Sequence, residues 1–441
     1  MLILFPRQNL SSLNLHGCKQ LPADALVCLV ESLPHLITLD LSKTHCNRQV
    51  LSAIGATCQQ LRDLNLSLCK RLSLKSLMYL AYDPLGGSFS CQKLRALRVW
   101  GLKASKGHCL ALIFVLLALP RLTYFVDNSI AKAVCLIHVQ RFGNSRMPPG
   151  FPSLTELVQR RMNINTEEGI SGLTLALSEI TILRESPLSL INAMCPYLTK
   201  MTLFLGDRAA FTNTSLSWRY LTRLTIICDI RRDLSELFPV AENLGSQLRS
   251  LTIRHFDFTD EFSFHHLLSH CTRLQELEGS FFSPKKQFHG LQMDIDTLDW
   301  DFCLPCLEFP QLSLFILEYS DVEKPLPYRH AMVLRQSLVN LLKHSPCLKF
   351  LTLRCMPFSL DRVFRRVLNP PNTALRNIDE ITLSQTKVSM DVINLILSSE
   401  NKLSYLGLLK CPGIHSADYS TLLHKIDKEA FDMIVEWKCP S

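Results

Sequence analysis

The chain has 441 residues, of which 47% are hydrophobic and 20% are charged, and its formal net charge is +8. This composition excludes a disordered or collagen-like protein and allows a large buried core. The positive balance is well below that of a dedicated nucleic-acid-binding protein, so we expect a protein partner and not a nucleic acid.

The first predicted element is a strand in a frame of the form L-x-x-L-x-L, which recurs with conservative replacements along the chain. Fifteen such frames begin at Leu10, Leu36, Leu61, Leu94, Leu122, Leu154, Leu177, Leu198, Leu221, Leu248, Leu274, Leu312, Leu348, Ile378 and Leu403. Their mean spacing of about 28 residues is typical of leucine-rich repeats.

Each frame alternates with period two, whereas the residues between frames have helical spacing. Helical segments are predicted around Ala25–Val30, Val50–Ile54, Leu77–Ala81, Leu190–Met194 and Val392–Leu397. A strand followed by a returning helix can bury its apolar side only against neighbouring repeats. We therefore predict an α/β fold: a single leucine-rich-repeat solenoid over residues 1–441, a horseshoe with a concave parallel sheet and convex helices.

Three loops interrupt the repeats. Residues 82–90 form a turn-rich insertion, residues 141–152 predict a weak joint between two halves of the arc, and residues 281–310 form the longest insertion loop.

The 17 cysteines are spread along the chain and do not cluster as in a disulfide scaffold. The apolar start at Met1–Phe5 is too short for an export signal, and the apolar run 109–120 is too short for a membrane span. We therefore expect an intracellular protein, cytoplasmic or nuclear, with reduced thiols and no membrane association.

Seven cysteines, which we call the repeat cysteines, recur at two positions of the repeat. Four lie three residues before the first leucine of a frame and three lie eight residues after it: Cys58, Cys91, Cys195 and Cys271, then Cys18, Cys69 and Cys411. A small thiol packs well in a tight turn, so we interpret these residues as structural.

The segment ATCQQLRDLNLSLCKRLSLKSLMYLA, from Ala56 to Ala81, resembles the cysteine-containing leucine-rich repeat of F-box and leucine-rich-repeat ubiquitin-ligase substrate receptors. The resemblance implies a protein-protein interaction scaffold that acts as the substrate-recognition arm of an SCF-type E3 ubiquitin ligase. It also implies an F-box that docks on a cullin-ligase adaptor. No F-box fits between Met1 and Leu10, so we expect either an upstream segment or a stand-alone adaptor or inhibitor with no ubiquitin role.

Residues two, four and six positions after the first leucine of a frame should project from the concave sheet. From the fourth repeat onward, this set is rich in arginine and aromatic residues, which dominate protein interfaces. Clustered arginines could also hold a segment with carboxylate or phosphate groups. The predicted partner-binding residues are Arg98, Trp100, Tyr124, Arg160, Lys200, Phe204, Arg223, Arg254, Phe350, Arg354 and Tyr405.

A catalytic site or a metal site is the alternative to a binding surface. His265, His266, His270 and Cys271 form a candidate zinc set with Cys303 and Cys306, because the cysteine pair has the spacing of half a zinc site. However, His266, His270 and Cys271 lie on a predicted helix, and Cys271 is already a repeat cysteine. The chain has no G-x-S-x-G, H-E-x-x-H or Walker motif. We predict no enzyme activity, no cofactor and no metal.

Overall fold

Fourteen of the fifteen frames contain a strand, and each strand begins two residues after the first leucine of its frame. The computed structural model describes residues 9–103, 107–142, 147–183, 188–206, 218–258, 260–282, 304–320, 326–369 and 374–439. The predicted α/β class is confirmed, and parallel strands with intervening helices fit a repeat solenoid. The horseshoe form stays a prediction.

The strands in chain order are β1 (Ser12–Asn14), β2 (Thr38–Asp40), β3 (Asp63–Asn65), β4 (Tyr82–Asp83), β5 (Ser88–Phe89), β6 (Ala96–Arg98), β7 (Tyr124–Phe125), β8 (Glu179–Leu183), β9 (Lys200–Leu205), β10 (Arg223–Asp233), β11 (Ser250–Asp257), β12 (Glu276–Phe281), β13 (Leu314–Tyr319), β14 (Phe350–Arg354), β15 (Glu380–Ser384), β16 (Tyr405–Leu409) and β17 (Ile434–Lys438).

The helices are α1 (Ala23–Glu31), α2 (Arg48–Thr57), α3 (Met78–Ala81), α4 (His108–Ala118), α5 (Ile130–Val139), α6 (Leu154–Glu167), α7 (Leu188–Met194), α8 (Phe238–Leu244), α9 (Ser263–His270), α10 (Tyr328–Lys343), α11 (Asp361–Val367), α12 (Met390–Ser398) and α13 (Ser416–Glu429). Short 3-10 helices cover Leu74–Leu77, Leu234–Leu237 and Gly245–Gln247. All five helical segments named from the sequence coincide with helices: α1, α2, α3, α7 and α12.

The strands form two parallel sheets and one small antiparallel pair. The first sheet has the order β1-β2-β3-β6-β7, and the ten-stranded sheet runs in chain order from β8 to β17. Strands β4 and β5 pair antiparallel within the insertion predicted at residues 82–90. Alternating burial along the strands places the frame leucines and isoleucines in the core.

A residue in the left-handed region closes many of the frames. The seventh residue after the first leucine has a positive φ in repeats of both sheets, for example 75° at Gly17, 57° at Lys43, 52° at Cys355 and 56° at Lys410. This conformation turns the chain sharply away from the strand, and only glycine adopts it without a steric cost. The repeat cysteines Cys18 and Cys411 directly follow such residues.

The frame at Leu154 is the exception, because it forms helix α6 and not a strand. The Ser153 hydroxyl accepts a hydrogen bond from the Glu156 amide at 3.2 Å, and the Glu156 carboxylate accepts one from the Ser153 amide at 2.8 Å. This capping box starts a helix. The buried residues Leu154, Leu157, Val158 and Arg161 then follow a helical period.

The chain divides into two compact units, and the change from the first to the second lies between Leu203 and Thr222. The weak joint predicted at residues 141–152 stays a prediction. Most of the predicted insertion 281–310 lies outside the described residues. Within the described ranges, no helix combines the length and the apolar character needed to cross a membrane.

Candidate functional site

Strands β10 to β17 present three straight rows of side chains on the side of the sheet opposite the buried leucines. We call this surface the open face. The three rows consist of the residues two, four and six positions after the first leucine of each frame, and the strand register extends them to β17. The first row is Arg223, Ser250, Glu276, Leu314, Phe350, Glu380, Tyr405 and Ile434. The exact register of the parallel strands aligns these side chains although their repeats differ in length.

An apolar stretch lies in the middle of the open face. Leu314 and Phe350 are direct partners in neighbouring strands, and Ile316 lies two residues after Leu314 on the same side of β13. All three side chains are only half-buried. Glu276 and Glu380 border this stretch in the first row. A half-exposed apolar centre with a polar border is the usual anatomy of a protein interface.

The aromatic ring of Tyr405 is held in place on the open face. Its hydroxyl donates a hydrogen bond to the Glu436 carboxylate at 2.6 Å, and its ring lies against Gly407, where a Cβ would be only 3.2 Å from the Tyr405 ring. The hydrogen bond to Glu436, with burial in second place, raises the pKa of Tyr405 to about 12. Next to it in the first row, Ile434 of β17 is 68% exposed.

The arginines of the open face are paired with acids on neighbouring strands. Arg254 lies 2.6 Å from Glu278, and Arg354 lies 3.7 Å from Glu318. These carboxylates come from the same chain, so the open face alternates positive and negative charge. The structure thus gives Arg254 and Arg354 a carboxylate partner without any bound segment. Arg223, at the start of β10, is exposed.

The same pairing occurs on strands of the first unit. The Arg98 guanidinium contacts the Asp63 carboxylate and lies 5.5 Å from the centre of the Tyr124 ring, and Lys200 lies 2.8 Å from Glu179. Trp100, two residues beyond β6, is 73% exposed. In the first unit, Arg98 and Tyr124 are therefore in contact with each other, and their role in partner binding stays a prediction.

The prediction for Arg160 was wrong about its position, because Arg160 lies on helix α6 and not on a strand. Its guanidinium lies 3.7 Å from the centre of the Phe89 ring and donates a hydrogen bond to the Gln92 side chain at 2.8 Å. These contacts hold it against the β4–β5 hairpin, where it is half-buried. Phe204, near the end of β9, is half-buried.

The repeat cysteines pack between consecutive repeats. Six of the seven are fully buried, and Cys18 is partly exposed. The Cys69 thiol donates to the Leu41 carbonyl at 3.1 Å and the Cys411 thiol to the Leu383 carbonyl at 3.3 Å, each 28 residues earlier. Burial raises the pKa of Cys58 to about 11 and that of Cys271 to about 12, which disfavours the reactive thiolate.

The cysteine half-site considered for zinc is only partly described. Cys306 lies 3.3 Å from His344 Nε2, while Cys303 lies outside the described residues. All sixteen described cysteines are free thiols.

The structure also shows a basic cavity that the sequence analysis missed. It has a volume of about 410 Å³ and is lined by residues of α10 and α11 and the residue Asn369: Arg335, Val339, Arg362, Val363, Arg365, Arg366 and Asn369. Four guanidinium groups at one cavity concentrate positive potential. The sequence gives little signal for it, because Arg335 and the other arginines come from separate helices.

Comparison with known proteins does not show a family for this chain. No protein-family model and no curated protein matches the chain. The chain is similar to a solved structure of the Rad7 and Elc1 complex in yeast, with 12% identity and a TM-score of 0.24. The match covers 67% of this chain and 85% of that chain.

Proposed function

We propose that the chain is a non-enzymatic scaffold that holds a protein partner against the open face. The observation behind this proposal is the half-exposed apolar stretch of Leu314, Ile316 and Phe350, together with the immobilised ring of Tyr405 two strands beyond Phe350. Aromatic anchors that are already ordered lose little conformational entropy when a partner binds.

The charged residues of the open face have a different part in this proposal. Since Arg254 and Arg354 already have carboxylate partners, they contribute little net attraction for an acidic segment. Alternating charges instead select a partner with the complementary pattern and orient it on the sheet. The apolar and aromatic residues then supply most of the binding free energy.

The finer proposal rests on the resemblance of residues 56–81 to cysteine-containing leucine-rich repeats. In this proposal, the open face is the substrate-recognition surface of an SCF-type E3 ubiquitin ligase. An F-box outside the present sequence would connect it to the cullin-ligase adaptor. The alternative is a stand-alone adaptor or inhibitor that binds its partner without ubiquitin transfer.

Site-specific photo-crosslinking in cells tests the location of the binding surface. A photoreactive amino acid at position 350 should attach covalently to a discrete partner, whereas the same group at the exposed Lys428 of α13 should not. Phe350→Ser should weaken the binding of that partner by at least about 2 kcal/mol, or thirtyfold, as expected for a hot spot. Equal attachment at both positions would refute the proposal.

The ligase role needs a separate measurement with the natural full-length product. Co-purification with a cullin adaptor, together with ubiquitin transfer to the crosslinked partner, would support the receptor role. A full-length product that binds the partner but co-purifies with no cullin adaptor would support the stand-alone alternative and reject the receptor role.

A further inference from the structure

Two consecutive helices of the second unit present matched pairs of side chains to each other. On α8, Phe238 and Glu242 are one helical turn apart, and on α9, His266 and His270 are likewise one turn apart. The rings of Phe238 and His266 are 4.4 Å apart between centres, with an angle of 61° between their planes. This contact aligns the two helices, so that Glu242 lies next to the histidine pair.

A glycine allows this close approach. A Cβ on Gly245, directly after α8, would lie only 2.5 Å from the backbone oxygen of His270. Any larger residue would push the ends of the two helices apart. The packing therefore depends on the backbones as well as on the side chains, and it gives the cluster a defined spacing.

One ligand atom each from Glu242, His266 and His270 lies within 4.8 Å of the other two. Two imidazole nitrogens and one carboxylate oxygen are the ligand set of catalytic zinc sites, which leave a fourth position open. Donor atoms about 3.4 Å apart are needed for tetrahedral coordination at zinc–ligand distances of roughly 2.1 Å. Glu242 and His266 are exposed, so a bound ion would have to draw the donor atoms together by up to about 1.4 Å.

No polar group among the described residues competes for the donor atoms of Glu242, His266 and His270. Within the described part of the chain, none of them forms a side-chain hydrogen bond or an ion pair, and the rings of His266 and His270 contact each other at 5.0 Å between centres. We propose that Glu242, His266 and His270 form a binding site for a divalent transition-metal ion, with zinc as the preferred ion. The ion links α8 to α9 and so fastens two consecutive repeats.

This ligand set differs from the one considered from the sequence. Cys271 is buried as a repeat cysteine, and Cys306 lies beside His344. The pair of Cys306 and His344 is therefore the rival zinc-binding location in the second unit, and the experiment must separate the two.

The test uses the full chain after chelation and dialysis under reducing conditions. Titration with Zn²⁺ in a calorimeter should show one site per chain, and Zn²⁺ should raise the midpoint of thermal unfolding. Co²⁺ should give the visible spectrum of a four-coordinate site, and Mg²⁺ should not bind. Because imidazole must be unprotonated to bind the ion, affinity should fall as the pH is lowered.

The variants assign the site. His266→Ala and His270→Ala should each weaken Zn²⁺ binding by at least about tenfold, and Glu242→Gln should weaken it less. His424→Ala, on an exposed position of α13, and Cys306→Ser should leave binding unchanged. Unchanged affinity in both histidine variants, or loss of binding in Cys306→Ser alone, would overturn the proposal. A cooperative thermal unfolding transition of each metal-free variant shows that the variant is folded.

Discussion

The two parallel sheets are built from the same frame but have strands of different length. Strands in the first sheet have two or three residues, whereas those in the ten-stranded sheet have five to eleven. The first sheet nevertheless contains the most regular frames of the sequence. A regular sequence motif therefore does not imply a longer strand.

In three of the five short strands, the side chain four positions after the first leucine explains the difference. In β1, β2 and β3 this residue is Asn14, Asp40 or Asn65, and its side-chain oxygen accepts a hydrogen bond from the amide two residues later at 2.9, 2.8 and 3.1 Å. These bonds offer the backbone an alternative to the sheet ladder and end the strand.

The equivalent position in the ten-stranded sheet is mostly β-branched. It is threonine or isoleucine in seven of its strands: Thr181, Thr202, Thr225, Thr252, Ile316, Thr352 and Thr382. A β-branched side chain packs well on a pleated surface and has no acceptor that reaches the following amide as an Asx side chain does. The longer strands include the residue six positions after the first leucine. These residues form the third row of the open face, which contains Arg254 and Arg354.

The largest predicted effect is the loss of folding stability when a buried side chain under either sheet is shortened to alanine. Leu64 in β3 and Phe315 in β13 are both fully buried. Leu64→Ala should destabilise the first unit by about 2–5 kcal/mol and Phe315→Ala the second by about 3–5 kcal/mol, because each leaves a cavity. Chemical denaturation, with hydrogen exchange read separately for each sheet, measures both. Glu380→Ala, at an exposed position of β15, should cost less than about 0.5 kcal/mol. A cost below about 1 kcal/mol for Leu64→Ala would mean that the short strands do not cover a packed core.

A smaller effect is expected from the side chains that end the short strands. Burial alone would raise the pKa of Asp40, but hydrogen bonds from Ser42 and Asn65 and the nearby His16 outweigh it and lower the pKa. Asp40→Ala should therefore cost about 1–2 kcal/mol at pH 7. The contribution is present above the unfolded pKa near 4 and disappears as the pH falls through the lower folded pKa.

The comparison variant is Thr382→Ala in β15, the equivalent position of the long sheet. It should cost less than about 1 kcal/mol and show no such acid dependence, since no carboxylate is removed. Urea denaturation at pH 7 and pH 3 distinguishes the two variants. The same pH dependence in both would contradict the explanation given for the short strands.

The smallest effect concerns the ion pairs, which both sheets share. A double-mutant cycle with Arg254→Ala and Glu278→Ala should give a coupling of roughly 0.2–1 kcal/mol, because both side chains are partly solvated. The pair of Arg98 and Asp63 should couple by a similar amount, and both couplings should decrease at high salt. A coupling above about 2 kcal/mol that is independent of salt would show that the pairs are structural.

Most of the strand positions were predictable because they follow from a local pattern. The frame places buried leucines with period two. A strand could therefore be assigned to the frame at Leu348 or at Leu403 without knowing which strands lie next to it. The strand predicted at Leu154 was wrong because the same spacing of apolar residues also occurs in a helix. The capping box of Ser153 and Glu156 favours the helix. Strand β17 was missed because no frame precedes it.

The sequence by itself determined the repeat, its strand-and-helix alternation and the burial of the repeat cysteines, since all three depend on spacing within a single repeat. Only the tertiary structure decided which charges are neutralised on the open face, as with Arg254 and Glu278, and which side chains meet between helices, as with Glu242 and His270. These pairs join residues 24 and 28 positions apart. Their contact depends on the register and loop length between repeats, and the frame does not encode either.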